Sequence, residues 1–215
     1  MIAHQRQIRD REAATDPRPV DTVIDYTVEA VSPKEAKEFI LRYEWLGTVG
    51  RPQAHYGARD VAGELAAVAL FGLPTNGGDL CGKQYRQYTI ALERGACTHW
   101  AYPHTASWFI PKACAMAARD RGWNIFYAYA DEAAGEIGTV YQACSWLYLG
   151  QTLDRRIGGW ARDRDYFRHR DWPVGKLISD RTFFSRYRLS MRDVERGEWE
   201  RVIKPAKHKY VWIEA

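Results

Sequence analysis

The residues of this chain best suited to chemistry crowd the turns of one stretch, Leu92 to Gly150, which runs LERGACTHWAYPHTASWFIPKACAMAARDRGWNIFYAYADEAAGEIGTVYQACSWLYLG. Within it, Tyr102 to Ser107 forms a turn ahead of an apolar pattern at Phe109, Ile110, Ala113, Met116 and Ala117, the spacing of one helix face. The start of such a helix presents free backbone N–H groups that suit a phosphate or another anion. His104, Thr105, Ala106 and Ser107 would line that site, with two hydroxyls to add, although plain N-capping uses the same residue types. Arg94, at the end of the preceding strand, suits bidentate pairing with a phosphate, and equally an ordinary surface ion pair. Asp131 closes the apolar run IFYAYAD, at the carboxyl end of a strand, where open α/β sheets hold ligands. A turn cap is the plainer role for it. Tyr141 lies in the helix predicted next, with Cys144, Ser145 and Tyr148 at helical spacing on its side, and fits a core position as well as an acid.

The elements that must position these groups follow from local pattern. Residues 1–22 are polar, carry Pro17 and Pro19, and read as an N-terminal arm. YTVEAV alternates like a half-buried strand. SPKEAKEFILRY then opens with Ser32 as N-cap, Pro33 at the first helical position and Glu35 three residues on, a capping box. AHYGARD and ELAAVALFGLP flank Gly63 as a hairpin, Thr75 to Gly82 is a Gly-rich loop, and QYTIALERGACT resumes a strand. The order is strand, helix, hairpin, long strand, helix, strand, helix. It predicts an α/β fold, a single domain over residues 23–215 with a central mixed sheet flanked by helices.

Composition narrows the class. A length of 215 residues with 46% hydrophobic and 27% charged residues describes a globular chain rather than a disordered one. Nine Trp and thirteen Tyr favour either an aromatic core or surfaces that stack on planar ligands. Cys81, Cys97, Cys114 and Cys144 show no zinc spacing and read as reduced, buried thiols. With no signal-peptide pattern and no long apolar run, the expectation is a cytoplasmic protein without a membrane partner. The net charge of +4 is unevenly placed: residues 151–215 carry 16 Lys and Arg against 10 Asp and Glu, while the first 150 residues are slightly acidic. A polyanion would therefore be gripped through the last third, if the charge is more than a solvated surface.

The element order resembles the GNAT acyltransferase fold over roughly residues 26–150. That resemblance implies an acyl-CoA pyrophosphate at the start of the helix after the long strand and a Tyr acid on the following helix. One departure is that CTHWAYPHTAS replaces the usual R/Q-x-x-G-x-G/A phosphate loop, so acetyl-CoA stands beside other acyl or aminoacyl donors. A closer resemblance, carried by AHYG, LERGAC, the SWFI helix start, YAD, GEIGTVYQACSWLYLG and KPAKHKYVW, is to the Mom DNA-modification family of bacteriophages. It implies conversion of the exocyclic amine of adenine in DNA to a carbamoylmethylamino group, which shields phage DNA from host restriction. It also implies a site of His55, Tyr56, Asp131 and Tyr141, with iron as a possible cofactor.

The chemistry of those four side chains leaves two routes open besides plain structural roles. Imidazole, carboxylate and phenol could hold a mid-row metal, or they could act as acid–base groups on a weakly nucleophilic amine. The DNA grip would fall to Arg164, Arg168, Arg186, Arg188, Lys207 and Lys209, set among Trp160, Tyr166, Phe167 and Trp172. An adenine within duplex would have to be flipped into the pocket. Two other classes fit the same residues: a conventional N-acyltransferase using acyl-CoA, and a non-catalytic DNA-binding protein.

Overall fold

The computed structural model describes residues 4–73, 80–132, 135–152, 157–162, 199–203 and 206–214. They fall into two compact units, Met1–Gly150 with His208–Ala215, and Gln151–Lys207. The first unit is built on a seven-stranded mixed sheet, as the alternating strand and helix pattern predicts. In chain order its elements begin with α1 (His4–Thr15), β1 (Thr27–Ala30), α2 (Pro33–Tyr43), β2 (Pro52–Arg59) and β3 (Leu65–Gly72). There follow a 3-10 turn (Lys83–Tyr88), β4 (Thr89–Cys97), α3 (Thr105–Arg121), β5 (Ile125–Asp131), α4 (Thr139–Ala143) and β6 (Leu147–Gln151). In the second unit β7 (Ile157–Arg162) pairs antiparallel with β8 (Trp199–Ile203), and β9 (Lys207–Ile213) returns to the large sheet. The sheet order is β1-β2-β3-β4-β5-β9-β6.

Local chemistry explains most of these boundaries. Ser32 accepts the Glu35 N–H while the Glu35 carboxylate accepts the Ser32 N–H, so the predicted capping box starts α2. β2 and β3 form the predicted hairpin, with Gly63 at φ 82° in its turn. Residues 4–15, expected as an arm, are instead a docked helix. Its Glu12 is buried and pairs with Arg11 and Arg42, while Gln5 donates to the Tyr43 carbonyl at 2.6 Å. The polar sequence disguised this helix because its partners are ionic rather than apolar.

The helix predicted around Tyr141 is also shorter than expected. Ser145 takes φ 61°, the one non-glycine in the left-handed region among the described residues, and the chain then runs as strand β6. Tyr148 therefore stands on a strand and not on the face of Tyr141's helix. The run Trp146-Leu147-Tyr148-Leu149 suits a strand better than a helix, and that local preference is what the helical spacing concealed.

The sheet is buried on both faces. On one, α3 lays Phe109, Ile110, Ala113 and Ala117 against Tyr56, Ala69, Phe71, Leu92 and Phe126. On the other, Phe39 and Ile40 of α2 cover Val68 and Leu70. Each large apolar side chain buried in this way contributes about 2 kcal/mol.

Two irregularities in β4 shape the region that matters most. The register against β3 passes from Leu70↔Arg94 to Phe71↔Leu92, leaving Glu93 as a bulge. Pairing with β5 is confined to Thr89–Ala91 against Ile125–Tyr127. Beyond Ala91 the parallel ladder ceases, although both strands run on, β4 to Cys97 and β5 to Asp131.

Candidate active site

The unladdered ends of β4 and β5 lie at the end of the sheet from which α3 starts, and the turn before α3, Asp131 and Tyr141 belong to this end. The turn before α3 is pinned from beneath by Tyr26, whose hydroxyl donates to Asp21 Oδ2 at 2.5 Å and accepts the Tyr102 N–H at 3.1 Å. Burial, reinforced by the Asp21 carboxylate, pushes that phenol up to about 12. His104 occupies the N-cap position without a side-chain cap, Thr105 is buried, and the Ser107 hydroxyl donates back to the His104 carbonyl at 3.0 Å. The Thr105 N–H donates to the Tyr102 carbonyl at 2.9 Å, and no side chain caps the N–H groups of Ala106 and Ser107 that follow. His99, on the same turn, is buried with Nε2 at 2.8 Å from the Asp16 carbonyl.

Pro111 lies inside α3 rather than at its start. It has no N–H to offer the carbonyl of Ser107, four residues earlier. The Cys144 thiol, at the end of α4, fills that vacancy with a 3.3 Å hydrogen bond to Ser107 O. Pro111 is thus the reason α3 and α4 are tied together at Ser107. Burial raises the Cys144 thiol to about 11, so it serves as a donor and not as a thiolate.

α4 carries Tyr141, half-buried, between the rings of Trp146 at 5.1 Å and Tyr210 at 5.3 Å. Burial, followed by the negative charge of Glu136, drives its ionisation far above the ordinary phenol value, so it keeps its proton. Asp131 is buried at the end of β5, and its carbonyl accepts the Glu136 N–H at 3.1 Å, closing the turn towards α4. Glu136 also accepts the Trp45 indole N–H at 3.1 Å, linking the loop after α2 to the loop after β5. That contact spans 91 residues and has no local pattern, so sequence reading had nothing to find it by. Arg94 serves the same loop, donating to Thr48 O at 2.9 Å and Thr48 Oγ1 at 3.1 Å. Its guanidinium also donates to the carbonyl of Glu93 at 2.5 Å.

Asp131 and Tyr141 therefore sit at one end of the sheet, near the start of α3. His55 and Tyr56 are on β2, three strands from β5 in the sheet order, about 14 Å at the usual strand spacing. As neighbours on a strand they also point to opposite faces. Tyr56 is buried against Phe71 under α3, donates to Asp120 Oδ2 at 3.3 Å and is raised to about 12 by burial and that carboxylate. His55 pairs with Leu70, a residue of the α2 face, and burial, with the Arg121 charge second, lowers its pKa. The four do not converge on one point. Among the described residues no three His, Cys, Asp or Glu are grouped to hold a metal ion. His55 and Tyr56, on opposite faces of β2 and three strands from Asp131, do not complete an iron ligand set with Asp131 and Tyr141. Of the expected DNA-contacting residues, Lys207 and Lys209 lie on β9, while Arg164, Arg168, Arg186 and Arg188 lie outside the described residues.

The sheet thus stops pairing between β4 and β5 beyond Ala91 and Tyr127, at the end from which α3 starts. In backbone the chain is similar to a putative phosphinothricin N-acetyltransferase, at 10% identity and TM-score 0.48 over 89% of this chain and 99% of that one. It is also similar to spermidine N-acetyltransferase from Vibrio cholerae in an intermediate state, at 7% identity and TM-score 0.49 over 88% and 94%. A complex of the Vibrio cholerae enzyme with CoA and spermine gives 6% identity and TM-score 0.48 over 88% and 95%. No curated protein matches the chain. The model of the Mom protein family matches residues 25–213, and the chain belongs to that family.

Proposed function

We propose that this protein is a transferase that converts the exocyclic N6 amine of adenine in DNA to a carbamoylmethylamino group, a change that would protect phage DNA from host restriction. The observation that carries the reading is the family match across residues 25–213, which takes in β4, α3, β5, α4 and the basic last third together. In this reading the donor lies in the gap between β4 and β5, with an anionic portion at the N–H groups of Ala106 and Ser107. A CoA thioester or another acyl or aminoacyl compound would first bond N6 through its carbonyl carbon; a glycyl group has the atoms of carbamoylmethyl and would have to rearrange so that N6 is bonded to the methylene. Asp131 accepts a hydrogen bond from the adenine N6 and orients it. Tyr141, kept protonated by burial, gives its proton to the leaving group. His55 and Tyr56 act from β2 by holding the sheet and α3 in place rather than by touching the reacting atoms.

DNA is held by the basic residues of the last third, with Lys207 and Lys209 at the start of β9. Binding then weakens steeply with salt, by the release of counterions from phosphate. The test is to incubate purified protein with oligonucleotides and separate donors, CoA thioesters among them, and to separate the nucleosides by mass. Modified deoxyadenosine with one donor class supports the reading and names the donor. Acetylation of polyamines or of protein, with DNA untouched, contradicts it.

A further inference from the structure

The strands beside α4 hold a second group of polar residues that the roles above do not use. His208, on β9, has Nε2 at 2.7 Å from Glu132 Oε1 and Nδ1 at 3.0 Å from the Tyr148 hydroxyl. A carboxylate only accepts, so the Nε2 proton points to Glu132, and in the neutral imidazole Nδ1 then presents its lone pair to the Tyr148 hydroxyl. The imidazole side chain is 15% exposed, whereas Tyr148 in front of it is 52% exposed. The imidazole is the most buried of the three, held between a Glu132 side chain that is 37% exposed and a phenol open to solvent. A base held by a third group and aimed at a hydroxyl is the arrangement that accepts a proton through that hydroxyl.

Its position joins it to the candidate site. Glu132 follows Asp131 directly in the chain. The Tyr148 ring stacks on Tyr210 at 5.3 Å, and Tyr210 stacks on Tyr141 at 5.3 Å, so three rings run from the proposed acid to the exposed phenol. Tyr210 is itself fixed, donating to Ile137 O at 2.6 Å and accepting from Gln142 Nε2 at 3.0 Å.

We propose that Tyr148, His208 and Glu132 form the proton-accepting relay of the transfer, with Tyr148 touching the acceptor amine and His208 and Glu132 acting through it. This rests on the reading of the protein as an adenine-modifying transferase. The adenine N6 forms a bond to the electrophilic carbon of an alkylating or acylating donor, and the bond from that carbon to its leaving group breaks with the electron pair going to the leaving group. The N6–H proton passes to the Tyr148 oxygen as the Tyr148 proton passes to His208 Nδ1. The imidazolium is then paired with the Glu132 carboxylate, and the leaving group is protonated by Tyr141. No oxidant or reductant is needed.

The experiment measures modified deoxyadenosine formed by the full chain and by His208→Gln, His208→Ala and Tyr148→Phe, with the melting temperature of each. Glutamine can keep the hydrogen bonds to Tyr148 and Glu132 but cannot take up a proton. The relay predicts that His208→Gln and Tyr148→Phe melt within a few degrees of wild type and lose turnover by about 10²-fold or more. It also predicts that added imidazole restores part of the activity of His208→Ala, an effect a purely structural histidine would not show. His208→Gln within about threefold of wild type, or His208→Ala with no response to imidazole, overturns the relay and leaves the proposed function standing. A wild-type chain that leaves deoxyadenosine unmodified overturns both.

Discussion

At the scale of single residues, the two groups brought to one end of the sheet differ in what they offer. Asp131 is a buried carboxylate at a strand end, and Tyr141 is a phenol that burial holds in its protonated form. Asp131→Asn and Tyr141→Phe are close to isosteric, so each is expected to keep the fold and to lower adenine modification by about 10²- to 10⁴-fold. Melting curves alongside nucleoside masses check this, and full activity in either variant would remove that residue from the mechanism. The places of Asp131 at a strand end and of Tyr141 in the helix that follows were legible in the sequence because these are local features, while the roles proposed for them come from the family resemblance. The wider role given to His55 and Tyr56 was not legible, since adjacent strand residues face opposite ways and their distance from β5 depends on the order of strands in the sheet. Arg94 shows a related limit: its charge is visible in the chain, but its partner, Thr48, is 46 residues away.

At the scale of elements, α4 is positioned by a glycine and a cysteine. Gly138 precedes it at φ 78°, and a Cβ there would run into the Tyr210 ring. Gly138→Ala is therefore strained both in its backbone and in its packing, and should lower stability by about 1–3 kcal/mol while displacing Tyr141. Urea denaturation read beside activity tests this, the expected result being a loss of activity larger than the loss of folded protein. Cys144 supplies the hydrogen bond that Pro111 denies to Ser107. Cys144→Ser keeps a donor and should be nearly neutral, whereas Cys144→Val should cost about 1 kcal/mol. Equal stability of the two variants would show that the thiol contributes packing alone. The capping box, the hairpin and the long strand could be read in advance because each is fixed by residues within a few positions of one another. The docking of α1 could not, since it depends on Glu12 meeting Arg42 across 30 residues. The short α4 was missed for another reason, a single left-handed residue at Ser145 that no helical periodicity reports.

At the scale of the whole molecule, the fold keeps several phenols neutral, which ties stability to alkaline pH. Tyr26 and Tyr56 are each raised to about 12 from an ordinary value of 10.0, chiefly by burial. A folded-state value above the unfolded one means that this stability is fully present below pH 10 and is lost as pH rises to 12. Each residue accounts for about 2–3 kcal/mol of the fall. Urea midpoints at pH 8 and pH 11.5 should show it, with a smaller fall in Tyr56→Phe. No helix among the described residues is long and apolar enough to cross a membrane. The basic last third and the site at the β4–β5 gap belong to one family match, and together they define the proposed task. The measurement that tests it most directly is to express the chain, and separately Asp131→Asn, with a plasmid, digest the plasmid to nucleosides and weigh them. A deoxyadenosine heavier by a carbamoylmethyl group, present with the wild-type chain and absent with Asp131→Asn, is the predicted result. Deoxyadenosine of unchanged mass from cells containing folded wild-type protein would contradict the account.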